Sequence, residues 1–508
     1  MQDSGYEKTC NSPKDTAASD MRKADDGFLL AEERRKSGEA LLLRKLDRRV
    51  LPTVALIFIM NNIDRAAITS ARLKGLEDDL HLSEIQYNVV LAMFFAIYSP
   101  AQIPSNMFLN KFTRPSIYIG ACVALWGLVS LSTGTTTNFT GLMICRVCLA
   151  LPEAAFYPGA MYLLSRWYTR KELALRAAIM YFGYIISSGF GNLLAAGILS
   201  GMEGKLGVRA WRWLFYIEGS ITIFIGLQTM WLLPDYPHNT RWLSAAEQRL
   251  ARARLAGDTG EADEDSANDS IFHGVKLALK DHKVYIFAIM NLSATLGLGF
   301  VNFIPTLTAT LGFSTTITLL MAAPPMILAA VLCVINSRHA DKTGERFFHL
   351  SGWWFMTIIG YIIAVSTMST AGRYVSLFLL ATGFLANALT PVWVSNSIPR
   401  PPSKRAASIA LVNGVGNIGN LASAFVWKVE WSPQYRPSMI IGVCCLALAI
   451  SLALVLRTIL VRENSLLDKY EQGVQTEAMQ KRIELAAQIE GISVEEALRR
   501  QRFFRYLY

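Results

Sequence analysis

Four ionisable residues stand out within otherwise apolar stretches of the chain: Asp64, Arg65, Arg146 and Glu153. An ionised side chain in hydrocarbon costs at least ~2.5–3.5 kcal/mol on insertion scales, so such residues persist mainly where they face a cavity or a partner. Their types define the available chemistry. A guanidinium keeps its charge and can hold an anion; a carboxylate can take up and release a proton. Arg146 and Glu153 are seven residues apart. Two helical turns put them on one face, roughly 10 Å apart along the axis. They are too far apart to bond on a straight helix but close enough for an anion on one to influence a proton on the other. Pro152 removes a backbone hydrogen bond beside Glu153 and loosens the helix there. Arg65 follows Asn61 by one turn on the same face, whereas Asp64 points elsewhere. Two readings stand for this pair: Arg65 as a second anion anchor with Asp64 pairing across helices, or an outer-end salt bridge. For Arg146 and Glu153 the structural alternative is a pair satisfied by Asn or Tyr groups of neighbouring helices.

The elements that must position these groups follow from composition. Of 508 residues, 52% are hydrophobic and 17% charged, where soluble proteins carry about 25% charged residues. The chain is therefore too apolar for a soluble multidomain protein, and a disordered chain or disulfide scaffold is excluded as well. Twelve apolar runs are long enough to span a bilayer at ~20 residues each: 50–70, 85–108, 115–134, 138–162, 174–200, 212–233, 284–304, 315–336, 348–368, 374–396, 405–427 and 437–457. Their length and lack of alternation exclude barrel strands. The expected organisation is a cytoplasmic tail (1–48), a six-helix bundle (49–233), a cytoplasmic loop (234–283), a second six-helix bundle (284–457) and a cytoplasmic tail (458–508). The loop is expected to hold a helix from Leu243 to Leu255 and an acidic linker from Gly257 to Ser270. The last segment reads as one or two surface helices with Leu485, Ile489, Ile492 and Leu498 on a weak apolar face. No cleavable signal peptide is expected.

Lys and Arg set the orientation. With both termini in the cytoplasm, 39 of the 49 fall on inner segments and 8 on outer loops. The remaining two are Arg65 and Arg146. The net charge of +10 is thus chiefly a topology signal, and no basic patch interleaved with aromatics points to nucleic acid. No phosphate-binding loop, metalloprotease motif or catalytic triad appears, which argues against an ATP-driven pump and an enzyme. Neither a metal nor a cofactor is expected. Cys145 and Cys148 lie within a span, where helical spacing turns them apart.

The chain repeats itself. Span five opens Arg176-Ala177-Ala178 and continues to Gly191-Asn192-Leu193; span eleven opens Arg405-Ala406-Ala407 and continues to Gly419-Asn420-Leu421. Two parallel six-span halves fit the major facilitator architecture. The loop Ser337-Arg338-His339-Ala340-Asp341-Lys342-Thr343-Gly344-Glu345-Arg346 resembles the signature loop of that superfamily, with Asp341 capping a helix end and Lys342 and Arg346 facing the cytoplasm as a gate. The first-half counterpart, Asn110 to Pro115, lacks the acid.

Longer motifs resemble the fungal anion:cation symporters, which include allantoate, nicotinate and pantothenate permeases. They are Leu46-Asp47-Arg48-Arg49-Val50-Leu51-Pro52 with Asn61-Asn62-Ile63-Asp64-Arg65; Arg146 with Pro152-Glu153-Ala154 and Phe156-Tyr157-Pro158-Gly159; Trp211 to Gly219; Leu233-Pro234-Asp235; and Phe504-Arg505-Tyr506. The resemblance runs over about 45–508. One departure is the stretch Ile398 to Arg405, which is rich in Pro where the family has Gly and a small polar residue. The resemblance implies an all-α membrane protein with 12 transmembrane helices in two six-helix bundles, a monomer in the plasma membrane. It implies proton-coupled symport of a small organic anion by alternating access. Arg146, Arg65, Asn61, Tyr98, Gln102, Tyr184, Asn291, Trp393, Asn396, Asn413 and Asn417 are the expected substrate contacts. Glu153 and Asp64 are the expected proton carriers. Read alone, each polar residue in a span is equally a bond to a neighbouring helix. Two further functions stay open: an exporter of an acidic metabolite and a transporter-like nutrient sensor.

Overall fold

The computed structural model describes residues 13–72, 75–259, 273–300, 315–399, 401–427, 431, 434–471, 494 and 505–508. Among these residues there are helices and no strands. A helix, or two abutting helices, coincides with each apolar run. Span one lies in α1 (Pro13–Arg72), followed by α2 (Glu84–Lys111) and α3 (Pro115–Thr133). Span four is divided into α4 (Phe139–Glu153) and α5 (Phe156–Ser165), and spans five and six are α6 (Leu173–Gly201) and α7 (Ala210–Leu232). The central loop carries α8 (Ala245–Thr259) and α9 (His273–Leu279). Spans seven to nine are α10 (His282–Gly297), α11 (Thr315–Thr343) and α12 (Phe347–Ser366). Span ten is α13 (Thr370–Ala381) plus α14 (Gly383–Ser397), and the last two are α15 (Pro402–Val426) and α16 (Arg436–Glu471). Six stretches among the described residues are long and apolar enough to cross a bilayer: Ser37–Arg72, Pro115–Thr133, Phe139–Ser165, Phe347–Ser366, Thr370–Ser397 and Arg436–Lys469. Helices α2, α6 and α15 fall outside that set; they carry Gln, Asn, Ser and Gly and form the contacts between the halves.

The six-span repeat is visible in the packing. Helix α3 lies along α7 as α12 lies along α16; α1 packs on α6 and α7 as α10 packs on α15 and α16. Between the halves, α2 packs on α15 and α6 on α11, which are repeat-related pairings.

Several boundaries differ from expectation. The first tail is helical from Pro13 and runs unbroken into span one. Its last turns are rich in strong helix formers with no Gly or Pro between Gly38 and Pro52, and Leu42 and Leu46 are buried. The central-loop helix begins at Ala245 because Ser244 forms a capping box: Glu247 N–H donates to Ser244 Oγ (3.3 Å) and Ser244 N–H to Glu247 Oε2 (2.7 Å). The Ser244 amide, with Lys45 Nζ at 3.0 Å, holds the Glu247 carboxyl below its ordinary range. At the other end α16 continues past residue 457 to Glu471 without a break. Most of the Gly257–Ser270 linker, Leu485, Ile489, Ile492 and Leu498 lie outside the described residues.

Close backbone approach decides the α3–α7 contact. A Cβ on Gly226 would sit 2.5 Å from Ala124 N, and one on Gly219 would sit 2.6 Å from Leu131 N. Small residues of this kind let helices meet where lipid supplies no hydrophobic drive. Gly226→Ala should therefore lower the melting temperature of the detergent-purified protein, with overpacking costing about 1–3 kcal/mol. Gly352→Ala, where nothing lies within 4 Å, should leave it unchanged or raise it. Equal melting of the two variants in scanning fluorimetry would contradict this packing.

Candidate functional site

The break in span four sets the geometry. Pro152 interrupts the helix, α4 ends at Glu153 and α5 begins at Phe156. The Glu153 side chain is fully buried and faces α1. Its Oε1 accepts from Asn61 Nδ2 (2.8 Å) and from Arg65 Nε in an ion pair. Asn61 and Arg65 are one turn apart, so one face of α1 delivers both donors. Sequence spacing relates Glu153 to Arg146 on its own helix; the structure gives its direct bonds to Arg65 and Asn61 of another. Glu153 Oε2 and Arg65 Nη2 are buried and unpartnered among the described residues.

Arg146 stands apart from this pair. It is 3% exposed, and its Nε and Nη2 are buried with no hydrogen-bond partner among the described residues. Glu153, Tyr87 and Asp64 lie within electrostatic range of it. A desolvated guanidinium of this kind has the donors to hold an anion.

Aromatic rings line the same level. The Arg65 guanidinium lies 4.5 Å from the Tyr98 ring centre and 5.4 Å from that of Phe94. Phe58 contacts Tyr157, Tyr181 and Tyr184, with the Tyr184 ring at 5.2 Å. One turn beyond Tyr98, Gln102 Oε1 accepts from Asn413 Nδ2 of α15 (2.8 Å), while Gln102 Nε2 is buried without a partner among the described residues. Asn417 Nδ2 donates back to Asn413 O (3.0 Å). A polar track thus runs from Glu153 through Arg65, Tyr98 and Gln102 to Asn413 and Asn417.

Other expected residues lie elsewhere. Asp64 turns away from Arg65 into the α1–α3–α7 contact, where Trp126 Nε1 (2.7 Å), Thr222 Oγ1 (3.0 Å) and Ser130 Oγ (3.5 Å) donate to it. All three are neutral, and among the described residues Asp64 forms no salt bridge. Asn291 donates to Val412 O (3.0 Å) and is a bond between α10 and α15. Trp393 packs edge-on against Phe287, and its indole N–H donates to Leu507 O (3.3 Å). It belongs to the surface on which residues 505–508 dock. Asn396, one turn on, is fully buried with both amide atoms unpartnered among the described residues. Asn302 lies outside the described residues. One group escaped the sequence reading: Glu218 of α7 is 1% exposed, its Oε2 is unpartnered among the described residues, and Thr222 follows it by one turn. An acid inside the apolar run 212–233 was the available signal.

The signature loop ties the halves. Asp341 accepts from the N–H groups of Ala174 (3.2 Å) and Leu175 (2.7 Å), capping α6 of the other half. Arg346 Nη2 binds Asp341 (2.9 Å) and Arg170 O (2.7 Å). Arg346 is completely buried, contrary to the expected solvent-facing role, because its donors complete this cap; Lys342 is exposed. On the same side, hereafter the loop end, Asn106 Nδ2 donates to Ala406 O (3.0 Å).

A family model for the Major Facilitator Superfamily matches residues 54–424. Over 393 residues the chain is 36% identical to the MFS-type transporter cnsO of Penicillium expansum, covering 74% of each chain. It is 29% identical over 457 residues to the major facilitator-type transporter hxnP of Emericella nidulans, covering 87% of this chain and 90% of that one. A putative tartrate transporter of Agrobacterium vitis is 29% identical over 383 residues, with 75% and 86% covered. The solved proton:xylose symporter XylE shares the fold, with a TM-score of 0.61 at 16% identity over 81% of this chain and 95% of that one.

The Arg65–Glu153 pair carries its own test. Removing one member of a buried ion pair costs about 3–5 kcal/mol, while replacing both by apolar residues is far milder. Arg65→Met and Glu153→Met should each destabilise the purified protein strongly, and the double variant should melt above either. Additive losses in the double variant would show that the pair does not exist.

Proposed function

Because the chain belongs to the major facilitator superfamily, it is a membrane transporter rather than an enzyme, and we propose that it carries a small organic anion together with a proton by alternating access. The observation that carries this reading is Arg146, a buried guanidinium whose Nε and Nη2 have no partner among the described residues, two turns before a carboxylate on the same helix that already has a cation. The relative named as a putative tartrate transporter, an organic acid anion, supports the same class of substrate.

Charge arithmetic supplies the coupling. With Glu153 ionised, Arg65, Arg146 and Glu153 together carry one positive charge. Protonating Glu153 releases Arg65 and raises the site to two positive charges. A monoanion then restores the original value. Proton and anion each make the other's binding easier, and linkage requires the effect to be mutual. The empty site and the doubly loaded site carry the same net charge, and in this scheme they are the two states that reorient. Gln102, Asn413, Asn417, Tyr98 and Tyr184 supply polar and aromatic contacts for the rest of the substrate. Asp64, held by three neutral donors, is the second proton-carrying candidate in this scheme.

The two bundles, 49–233 and 284–457, rock about this level. The Lys and Arg asymmetry supports a cytoplasmic loop end, with both tails on that side and the carrier in the plasma membrane.

The test uses proteoliposomes and a panel of labelled mono- and dicarboxylates, with and without a pH gradient. An acid-outside gradient should stimulate uptake of a member of the panel. Arg146→Ala should cut that uptake about a hundredfold, the loss expected for a charged hydrogen-bond donor set worth ~2.7 kcal/mol. Glu153→Gln should retain exchange and lose the response to the gradient. If both variants transport like the parent protein, the mechanism is wrong.

A further inference from the structure

Residues 505–508 lie on the loop end, where donors from the protein body meet four consecutive carbonyls. Arg505 O accepts from Arg170 Nη1 (2.7 Å), Tyr506 O from Asn464 Nδ2 (2.9 Å), Leu507 O from Trp393 Nε1 (3.3 Å) and Tyr508 O from Arg346 N–H (2.8 Å). Asn464 also accepts from Tyr506 N–H (2.8 Å), so its amide holds that residue at both backbone groups as a strand neighbour would. The side chains are engaged as well. Arg505 pairs with Asp468 (2.6 Å), the Tyr506 ring lies 5.0 Å from Lys283 Nζ, and the Tyr508 ring 5.5 Å from the Arg457 guanidinium.

Two features distinguish this from a tail resting on a surface. First, the donors come from both halves: Arg170 precedes α6, while Arg346, Trp393 and Asn464 belong to the second bundle. Secondly, the segment joins the cross-half tie itself. Arg170 gives its Nη1 to Arg505 O and its carbonyl to Arg346 Nη2, and Arg346 holds Asp341 against the start of α6. Parting the halves at this end must break the Arg170 bonds or drag the segment from Asn464 and Trp393.

We propose that residues 505–508 are an intramolecular latch: docked, they hold the loop end shut; released, they let the halves part there. The latch rests on the alternating-access reading, though on neither the anion nor the proton. A covalent change or a partner that takes up Tyr506 or Tyr508 would then open the carrier at that end.

The experiment reads the distance between spin labels at Lys171→Cys and Lys342→Cys, both exposed sites on opposite halves. The background is the full chain with its seven native cysteines replaced, reconstituted in nanodiscs without substrate. Deleting 505–508 should raise the open-loop-end population roughly tenfold, the shift that two or three net hydrogen bonds supply. Asn464→Leu, which removes the clamp on Tyr506 and leaves the segment in place, should raise it in the same direction. Asp341→Ala with Arg346→Ala serves as the reference for an opened end. If the reference opens and neither latch variant does, the latch is wrong and alternating access stands. If no variant opens the loop end, both readings fall.

Discussion

One carboxylate, Glu153, stands at the level where span four breaks, ion-paired to the half-buried Arg65 and within electrostatic range of the buried Arg146. Much of the surrounding structure serves that inequality. Glu153 is the last residue of α4, beside Pro152, and meets Arg65 of α1 there. Asn61 fills a further lone pair of the same oxygen, one turn below Arg65. The tyrosine and phenylalanine rings around Arg65 exclude water and present π faces to its cation. Around Glu153 the charge left without a bonded counter-ion is Arg146, whose Nε and Nη2 have no partner among the described residues.

Asp64 shows the contrast. It is as deeply buried as Glu153, but its three donors are neutral side chains from α3 and α7. That arrangement glues three helices of one bundle and sits among the closest backbone contacts of the molecule, at Gly127, Gly219 and Gly226. Glu153 instead sits where a helix is interrupted, and its partners are the buried Asn61 and the longer, half-buried Arg65. Two acids of like burial thus differ in what holds them: neutral donors of one bundle for the first, a cation for the second.

The apolar runs, the internal repeat and four of the intramembrane charges were legible in the sequence, because hydropathy and charge placement are one-dimensional signals; Glu218 carried the same signal and was passed over. The helical period also placed Asn61 and Arg65 on one face correctly. It could not say which helix that face meets, so the bond between α1 and α4 went unread. The same limit explains Asn291, Trp393 and Asn413, three polar or amphipathic residues in spans. The first bonds its own half, the second holds residues 505–508, and the third crosses to Gln102. Spacing treats all three alike; only the neighbour decides. Arg346 was misplaced for a related reason: a basic residue in a short loop normally marks the solvent side, yet here it completes a cap on α6.

The contacts within a bundle and those between bundles differ in kind, and the difference bears on how the molecule moves. Inside the first bundle, α3 and α7 interlock at a spacing where a single added carbon would collide with backbone. Sliding or parting there would leave voids that no small rearrangement fills. Between the bundles, beside the packing of α2 on α15 and α6 on α11, the polar ties among the described residues include Gln102 to Asn413, Asn106 to Ala406, Asp341 to the α6 amides, and Arg170 to Arg346 and Arg505. Gly414 lets α15 approach Ser99 O without any side chain interposed. Such bonds are each worth about 0.5–1.5 kcal/mol net and can be exchanged for water one at a time. Bonds of that kind make the boundary between the halves easier to exchange than the α3–α7 contact inside the first, where added atoms would meet backbone.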